Sequence, residues 1–233
     1  MKIAVFGANG ATGHELINQA IESGQEIVAV TRNPQQFPIQ HSAVTVVEAD
    51  ATDPMQVQNA ISGVDAVISV VGTSYSREEI NVYSSSAKAY LAGMKQAGIR
   101  RLVVTSSSAV SSWEDPHWSI VKKMLVRQVL ARLGRTLYAD MRRMEEIVSS
   151  SSSDWTIMRP LGLANMDSPT KYEVAENHIE GSQTARRDLA SALLEAVTEG
   201  KWVNQKIAVA TTNKSMSLVG TIWREGIKPK LQK

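Results

Sequence analysis

The chain has 233 residues, of which 43% are hydrophobic and 21% are charged, and its net charge at pH 7 is +2. This length suits one domain with a sizeable core, and the composition is that of a globular protein rather than a disordered chain. The small and dispersed charge argues against nucleic acid or an anionic membrane surface as a partner. The absence of cysteine excludes disulfides, thiolate metal ligands and a cysteine nucleophile. The four histidines show no close pairing, so no metal site is predicted.

The beginning of the sequence and its apolar runs predict neither a signal peptide nor a membrane span. The first strand candidate starts at residue 2 and continues directly into a glycine turn, which leaves no room for the apolar core of a signal peptide. No later apolar run reaches the length needed to cross a bilayer. We therefore expect a cytoplasmic protein.

Short runs rich in β-branched residues alternate with longer segments of helical period. Strands are predicted at residues 3–6, 26–31, 44–48, 66–71, 102–106 and 156–158, and helices at residues 13–23, 54–61, 78–97, 121–133 and 138–148. This alternation is typical of βαβ units and predicts an α/β protein with a doubly wound parallel sheet, the Rossmann fold, in a single domain. The serine-rich residues 149–153 are predicted to be a polar connection before the sixth strand.

The pattern changes after Arg159 and Pro160. A loop-rich stretch is predicted up to about residue 184, then a helix at residues 187–198 and a strand at residues 206–210. We therefore divide the chain into a cofactor-binding core, residues 1–160, and a small substrate-side and C-terminal part, residues 161–233.

Three glycines, Gly7, Gly10 and Gly13, directly follow the first strand and open the first helix. Small residues in this position let the backbone approach a pyrophosphate held at a helix N-terminus. The turn therefore predicts a dinucleotide cofactor. Three residues between the glycines are expected to contact its phosphates: Asn9, Ala11 and Thr12.

The residues that end the second strand bear on the choice of cofactor. An NAD-selective protein places an acid there to hold the ribose 2′-hydroxyl, but this sequence has Thr31, Arg32 and Asn33. The Arg32 guanidinium can bind a 2′-phosphate with two hydrogen bonds, so NADP(H) is favoured over NAD(H). The alternative for Arg32 is a solvated surface side chain.

Five short motifs in a fixed order cover almost the whole chain. They are Gly-Ala-Asn-Gly-Ala-Thr-Gly at 7–13, Thr-Arg-Asn at 31–33, Asp-Ala-Thr-Asp at 50–53, Thr-Ser-Ser-Ser at 105–108 and Trp-Thr-Ile-Met-Arg-Pro at 155–160. In these motifs the sequence resembles the atypical short-chain dehydrogenase/reductases, and within them the NmrA-like and biliverdin/flavin reductase-like NAD(P)H-binding proteins.

The resemblance implies roles for further residues. Asp50 and Ala51 would recognise the adenine, although Asp50 to Asp53 also suits a helix-capping pair. The end of the fourth strand would line the adenosine ribose and the path to the nicotinamide, through Val70, Val71, Gly72 and Thr73. Ser108 would lie beside the nicotinamide and the substrate carbonyl, and Ser107 is the next candidate for this role.

One expected motif is missing. Reductases of this kind typically use Tyr-x-x-x-Lys as the proton-donating pair, but no tyrosine of this chain has a lysine four residues later. Tyr138 with Arg142 is the nearest imitation, and a guanidinium does not replace an ammonium at such a site. Residues 140–145 are instead predicted to lie on one helix whose arginine and glutamate residues form surface pairs.

The sequence therefore supports three hypotheses. The first is an NADPH-dependent reductase whose small-molecule acceptor needs little acid catalysis, such as a flavin, a quinone or a conjugated tetrapyrrole-like system. Such an enzyme would take its proton from water rather than from a tyrosine. The second is a redox sensor of the NmrA kind that binds NADP(H) and acts on a protein partner. The third is an isomerase or epimerase of a nucleotide-linked substrate, although such proteins usually retain the missing Tyr and Lys.

Four residues near the predicted variable loops are further candidates. His117 and His178 are conceivable proton donors, with a solvated histidine as the alternative. Trp113 and Trp118 are candidates for a lid over the nicotinamide, with ordinary packing as the alternative.

Overall fold

The computed structural model describes residues 1–111, 135–166 and 170–212. Within these ranges one eight-stranded sheet lies between helices on both faces, and a second, two-stranded sheet lies beside it. The strands are β1 (Lys2–Phe6), β2 (Glu26–Thr31), β3 (Val44–Glu48), β4 (Ala66–Ser69), β5 (Arg101–Thr105), β6 (Asp154–Pro160), β7 (Gly162–Ala164), β8 (Tyr172–Glu176), β9 (Gln183–Ala185) and β10 (Gln205–Thr211). The helices are α1 (Ala11–Glu22), α2 (Pro54–Ala60), α3 (Val82–Ala97), α4 (Arg135–Ser149) and α5 (Arg186–Thr198).

The strand order of the large sheet is β3-β2-β1-β4-β5-β6-β10-β8, and only β8 runs antiparallel to its neighbour. The chain builds outward from β1 through β2 and β3, and then returns to the other side of β1 with β4. Open α/β sheets bind ligands at such a reversal, outside the carboxyl ends of the strands. The predicted doubly wound Rossmann sheet is therefore confirmed, and it places the candidate site at the ends of β1 and β4.

Both faces of the sheet are buried. Helices α1 and α5 cover one face, where Ile3, Leu16 and Leu193 belong to one apolar cluster. Helices α2, α3 and α4 cover the other face, where Phe6 and Tyr90 belong to a second cluster. Strands covered on both sides are apolar throughout rather than alternating, which explains the continuous apolar runs of β1 and β4.

Several predicted element boundaries differ from those in the structure. Helix α3 begins at residue 82 rather than 78 because the buried Asp140 carboxylate, on α4, accepts hydrogen bonds from the N–H groups of Tyr83 and Ser84. Strand β4 ends at Ser69, two residues before the predicted end. The stretch predicted to be loop-rich up to about residue 184 also contains the short strands β7 and β8 and most of β9. The helix predicted at residues 121–133 lies outside the described residues.

None of the helices in the described ranges is long and apolar enough to cross a membrane.

Candidate functional site

The glycine turn after β1 is packed tightly against the end of β4. Gly7 has a φ of +85°, and a β-carbon added to it would lie 2.8 Å from the carbonyl carbon and oxygen of Val70. A β-carbon on Gly13 would lie 2.5 Å from the Gly7 carbonyl oxygen. By contrast, a β-carbon on Gly10 would meet only that oxygen, at 3.2 Å. The fold therefore requires glycine at 7 and 13, whereas Gly10 leaves an open surface above the turn.

The N-terminus of α1 opens onto this surface. Gly10 is the N-cap residue and contributes no side-chain hydrogen bond. The first N–H groups of a helix have no acceptor within the helix, and they form the positive end of its dipole. Ala11 is exposed at this end, and Thr12 is buried. An anion such as a pyrophosphate fits both the open surface and the uncapped helix end.

Asn9 connects the glycine turn to the segment that follows β2. Its Nδ2 donates a hydrogen bond to the Asn33 carbonyl oxygen at 2.9 Å. Its Oδ1 is buried and has no hydrogen-bond partner among the described residues. A buried acceptor without a partner costs free energy. The residues present therefore fit a dinucleotide, whose hydroxyl groups would satisfy this oxygen.

The ends of β2 and β3 bring Arg32 close to Asp50. Asp50 Oδ1 accepts hydrogen bonds from the Thr52 N–H at 2.8 Å and from the Thr52 hydroxyl at 2.7 Å. These bonds, together with the positive charge of Arg32, hold the pKa of Asp50 below its usual value. Arg32 itself is exposed, and its guanidinium makes no hydrogen bond or ion pair with the described part of the chain. It is therefore available to a ligand phosphate.

Asp50 and Asp53, the two acidic residues after β3, accept different hydrogen bonds. Asp53 is the N-cap of α2, since its Oδ1 accepts the N–H groups of Met55 and Gln56. Asp50 instead forms a turn with Thr52 and stays half-buried at the sheet edge. The capping alternative thus applies to Asp53, and Asp50 with the adjacent Ala51 remains available for the adenine.

The segment that follows β4 becomes exposed at Gly72 and Thr73. Val70 and Val71 are half-buried, and Gly72 and Thr73 are exposed. A β-carbon on Gly72 would have no other atom within 4 Å. The Thr73 N–H donates to the hydroxyl of Tyr83 at 3.3 Å, which fixes the segment from the side of α3. This segment can therefore line a ligand along the crevice, as the resemblance implies.

The serines after β5 separate into different roles. The Ser107 hydroxyl accepts the Ala109 N–H at 3.2 Å and caps a short 3₁₀ turn, Ser108–Val110. Ser108 is half-buried, and its hydroxyl has no hydrogen-bond partner within the described ranges. Because β4 and β5 are neighbours, their carboxyl ends lie side by side. Ser108 is therefore the serine whose hydroxyl is free to contact a ligand.

A buried ionic cluster lies directly beneath these serines. Glu145 on α4 accepts hydrogen bonds from the Ser106 hydroxyl at 2.7 Å and from Arg159 Nε at 2.9 Å, and Lys206 Nζ lies 3.2 Å from it. Burial opposes ionisation of this carboxyl, but the bonds from Arg159 and Ser106 and the two positive charges outweigh it, so the pKa of Glu145 is lowered. The prediction of surface pairs at 140–145 is wrong for Glu145, which is buried and pairs with Arg159 and Lys206 on other elements. Asp140 is also buried; it accepts hydrogen bonds from Arg143 on the same helix and from the Tyr83 N–H at the start of α3.

Tyr138 and Arg142, the residues most similar to the missing Tyr-x-x-x-Lys motif, do not form a hydrogen-bonded pair. Arg142 is exposed and has no hydrogen bond or ion pair with a described residue. The Tyr138 hydroxyl is instead 3.0 Å from the hydroxyl of Tyr75, which lies 63 positions earlier in the chain. Sequence spacing could not reveal this contact.

The remaining candidates contribute less. His178 is half-buried just after β8. Trp113, His117 and Trp118 lie outside the described residues. Among the residues that are described, no group of three or more His, Cys, Asp or Glu side chains is arranged to hold a metal ion.

The fold, the glycine turn and the uncapped helix end together define a Rossmann protein with a site for a dinucleotide. The sequence model of the NAD(P)H-binding family matches residues 7–200. The chain therefore belongs to the NAD(P)H-binding family, which confirms the resemblance to atypical short-chain dehydrogenase/reductases.

The chain matches only part of the length of its relatives. An uncharacterised protein of Mycobacterium tuberculosis is 28% identical over 205 residues, which are 88% of this chain and 21% of that protein. The (4-alkanoyl-5-oxo-2,5-dihydrofuran-3-yl)methyl phosphate reductase of Streptomyces griseus is 27% identical over 158 residues, covering 68% of this chain and 46% of the reductase. The chain thus spans about a fifth of the first relative and less than half of the second.

Solved structures show the same fold. A short-chain dehydrogenase/reductase from Veillonella parvula in complex with NADP superimposes with a TM-score of 0.75. The two sequences are 18% identical, and the match covers 91% of this chain and 95% of the other.

Proposed function

We propose that the protein is an NADPH-dependent reductase that transfers hydride to a small organic acceptor of the flavin, quinone or carbonyl type. The observation that carries this proposal is Arg32, an exposed cation that makes no hydrogen bond or ion pair among the described residues and lies at the strand end where an NAD-selective site needs an acid. Membership of the NAD(P)H-binding family and the reductase named among the relatives support it.

The chain's own residues would hold the cofactor along the carboxyl edge of the sheet. The open surface over Gly10 and the N–H groups at the start of α1 bind the pyrophosphate. Arg32 and Asn33 hold the 2′-phosphate, and Asp50 with Ala51 contacts the adenine. Bound NADPH supplies the hydride and is oxidised to NADP⁺. Val71, Gly72 and Thr73 would line the part of the cofactor that reacts, and Ser108 would contact the acceptor.

Ser108 orients the acceptor. Its hydroxyl, free of other bonds within the described ranges, donates to the acceptor oxygen as negative charge develops there. The hydrogen bond from Ser106 to the buried Glu145 fixes the start of the serine segment, two residues before Ser108.

The test follows the absorbance of reduced nicotinamide with the full chain, NADPH and a panel of flavins, quinones and small carbonyl compounds. A Gly10→Val variant provides the background rate, because its side chain occupies the cofactor surface. The proposal predicts turnover well above that background for at least one acceptor. Tight NADPH binding without turnover on any acceptor would contradict it and favour a sensor that acts on a protein partner.

A further inference from the structure

The segment at residues 72–81, between β4 and α3, is hydrogen-bonded to α4. The Thr136 hydroxyl donates to the Ser76 carbonyl oxygen at 2.7 Å, and Arg143 donates to the Ile80 carbonyl oxygen at 2.8 Å. Directly before the first of these anchors, the hydroxyl group of Tyr75 is 3.0 Å from that of Tyr138. Tyr75 is therefore held in a defined position although it lies on an exposed connection.

This tyrosine pair joins the two segments that flank the reacting end of the proposed site. Tyr75 follows Thr73, on the segment after β4, and Tyr138 lies on α4. The 3₁₀ turn that begins with Ser108 packs on the same helix, and Val110 of that turn shares an apolar cluster with Tyr138. Tyr75 and the turn that begins with Ser108 therefore both contact α4, and they follow the neighbouring strands β4 and β5.

The two hydroxyl groups are not equivalent. The Tyr138 side chain is 9% exposed, whereas Tyr75 is 41% exposed. Burial raises the pKa of Tyr138, and so does its hydrogen bond to Tyr75. Either hydroxyl can donate the bond between them. When the buried Tyr138 donates it, the proton of the more exposed Tyr75 can point away from the pair.

We propose that Tyr75 is the proton donor of the reductase and that Tyr138 positions it, for acceptors whose hydride addition leaves a basic carbonyl or quinone oxygen. This inference rests on the proposed function. Hydride adds to the acceptor, the O–H bond of Tyr75 breaks, and a new O–H bond forms on the acceptor oxygen. The Tyr75 phenolate then accepts the hydrogen bond from Tyr138 and regains a proton from solvent, to which it is exposed.

The proposal departs from the expectation that no tyrosine donates the proton. That expectation followed from the missing lysine partner four residues after each tyrosine. The fold supplies a different partner, a neutral hydroxyl from another element, and general acid catalysis by a positioned phenol requires a favourable geometry before it requires a lysine.

The kinetic test compares Tyr75→Phe, Tyr138→Phe and the control Tyr172→Phe, whose hydroxyl instead donates to Glu195 at 2.6 Å. With the best carbonyl or quinone acceptor, Tyr75→Phe should lower kcat by about a hundredfold, the low end of what a general acid contributes. Tyr138→Phe should lower kcat less, and the control should not lower it. NADPH affinity should be unchanged in all three.

The pH profile separates a proton donor from a structural contact. The fall of kcat at alkaline pH, which reports an acid that must be protonated, should disappear in Tyr75→Phe. Tyr138→Phe should retain this fall, because Tyr75 still donates the proton, although its kcat is lower. Full activity and an unchanged profile in Tyr75→Phe would overturn the proposal while leaving the reductase assignment intact.

A measurement that does not need turnover tests the placement. The ring resonance of Tyr75 in tyrosine-labelled protein, assigned by its loss in Tyr75→Phe, should shift when NADP⁺ is added, whereas that of Tyr172 should not. An unmoved Tyr75 resonance in cofactor-saturated protein would overturn the proposal. If the wild-type protein binds NADPH and reduces no acceptor, the reductase function fails, and the donor assignment fails with it.

Discussion

Gly13 lies directly against the carbonyl group of Gly7, so that a β-carbon on Gly13 would be 2.5 Å from the Gly7 oxygen and 2.7 Å from the Ala8 oxygen. Both obstacles are backbone atoms at the junction of β1 and α1, and they cannot rotate away. Gly10, three positions earlier, meets that oxygen only at 3.2 Å. The same turn therefore contains glycines with different functions, one structural and one facing the ligand.

The first prediction separates these two functions. Gly13→Ala should lower the free energy of unfolding by roughly 1–3 kcal/mol, the usual cost of overpacking. Gly10→Val should unfold cooperatively near the wild-type temperature but lose dinucleotide binding. Thermal unfolding and NADPH titration of both variants check this. A folded Gly10→Val variant with wild-type NADPH affinity would place the cofactor elsewhere.

The second prediction concerns the choice of cofactor. Arg32→Ala should weaken NADPH binding roughly ten- to a hundredfold, because it removes a charge-assisted contact of about 1.5–3 kcal/mol, and it should leave NADH binding nearly unchanged. Titrations with both cofactors measure the two effects separately.

Arg100→Ala is the matched control, because it also removes one positive charge but acts on a residue paired with Asp154 beside the opposite ends of β5 and β6. It should alter neither affinity. Equal weakening of NADPH and NADH in Arg32→Ala would be incompatible with a contact to the 2′-phosphate.

The third prediction concerns the buried carboxylate beneath the serines. Glu145→Gln leaves Arg159 and Lys206 without their counter-charge, and should lower the free energy of unfolding near pH 7 by about 3 kcal/mol. Because the folded-state pKa of Glu145 is lowered, its stabilising contribution is complete above the unfolded value of about 4.3 and is lost as the pH falls through the folded value.

Denaturant unfolding from neutral to acidic pH measures this dependence. The difference in stability between wild type and Glu145→Gln should shrink on acidification below about pH 4. The exposed neighbour provides the control, Glu146→Gln, which should stay within about 0.5 kcal/mol of the wild type. A difference between wild type and Glu145→Gln that is constant with pH would contradict an ionised Glu145 in the cluster.

The fourth prediction distinguishes the two serine candidates. Ser108→Ala should lower turnover with little change in NADPH affinity, the pattern of an interaction made mainly in the transition state. Ser107→Ala removes the cap of the 3₁₀ turn, and should cost on the order of 1 kcal/mol of stability. Steady-state kinetics and thermal unfolding of both variants test this. Full turnover in Ser108→Ala would remove Ser108 from the site.

The cofactor half of the fold could be predicted from sequence because its signals are local. The glycine turn, Pro54 at the start of α2 and the apolar runs of β1 and β4 each occupy a few consecutive residues. The short strands β7 and β9 could not be predicted in this way, since three residues carry no measurable period. Strand β8 has Tyr172 and Val174 on its packed face, but this alternation is too brief to distinguish from a loop.

The reacting end of the site could not be predicted from the sequence, because it is formed by contacts between residues that are distant in the chain. Glu145 was predicted to be a surface residue because charges spaced along a helix usually are, and only its pairing with Arg159 and Lys206 explains its burial. Likewise the Asp140 carboxylate accepts a hydrogen bond from the Tyr83 N–H at the start of α3, and no local sequence pattern indicates this contact. The contact between Tyr75 and Tyr138 joins residues 63 positions apart, so the sequence did not suggest a tyrosine as the donor.

The most direct test of the account is calorimetric titration of the full wild-type chain with NADPH and with NADH under identical conditions. We expect saturable binding of both cofactors at one site, with NADPH bound at least about tenfold more tightly through its 2′-phosphate. Equal affinities, or tighter binding of NADH, would contradict the role of Arg32, and the absence of binding by either cofactor would contradict the site itself.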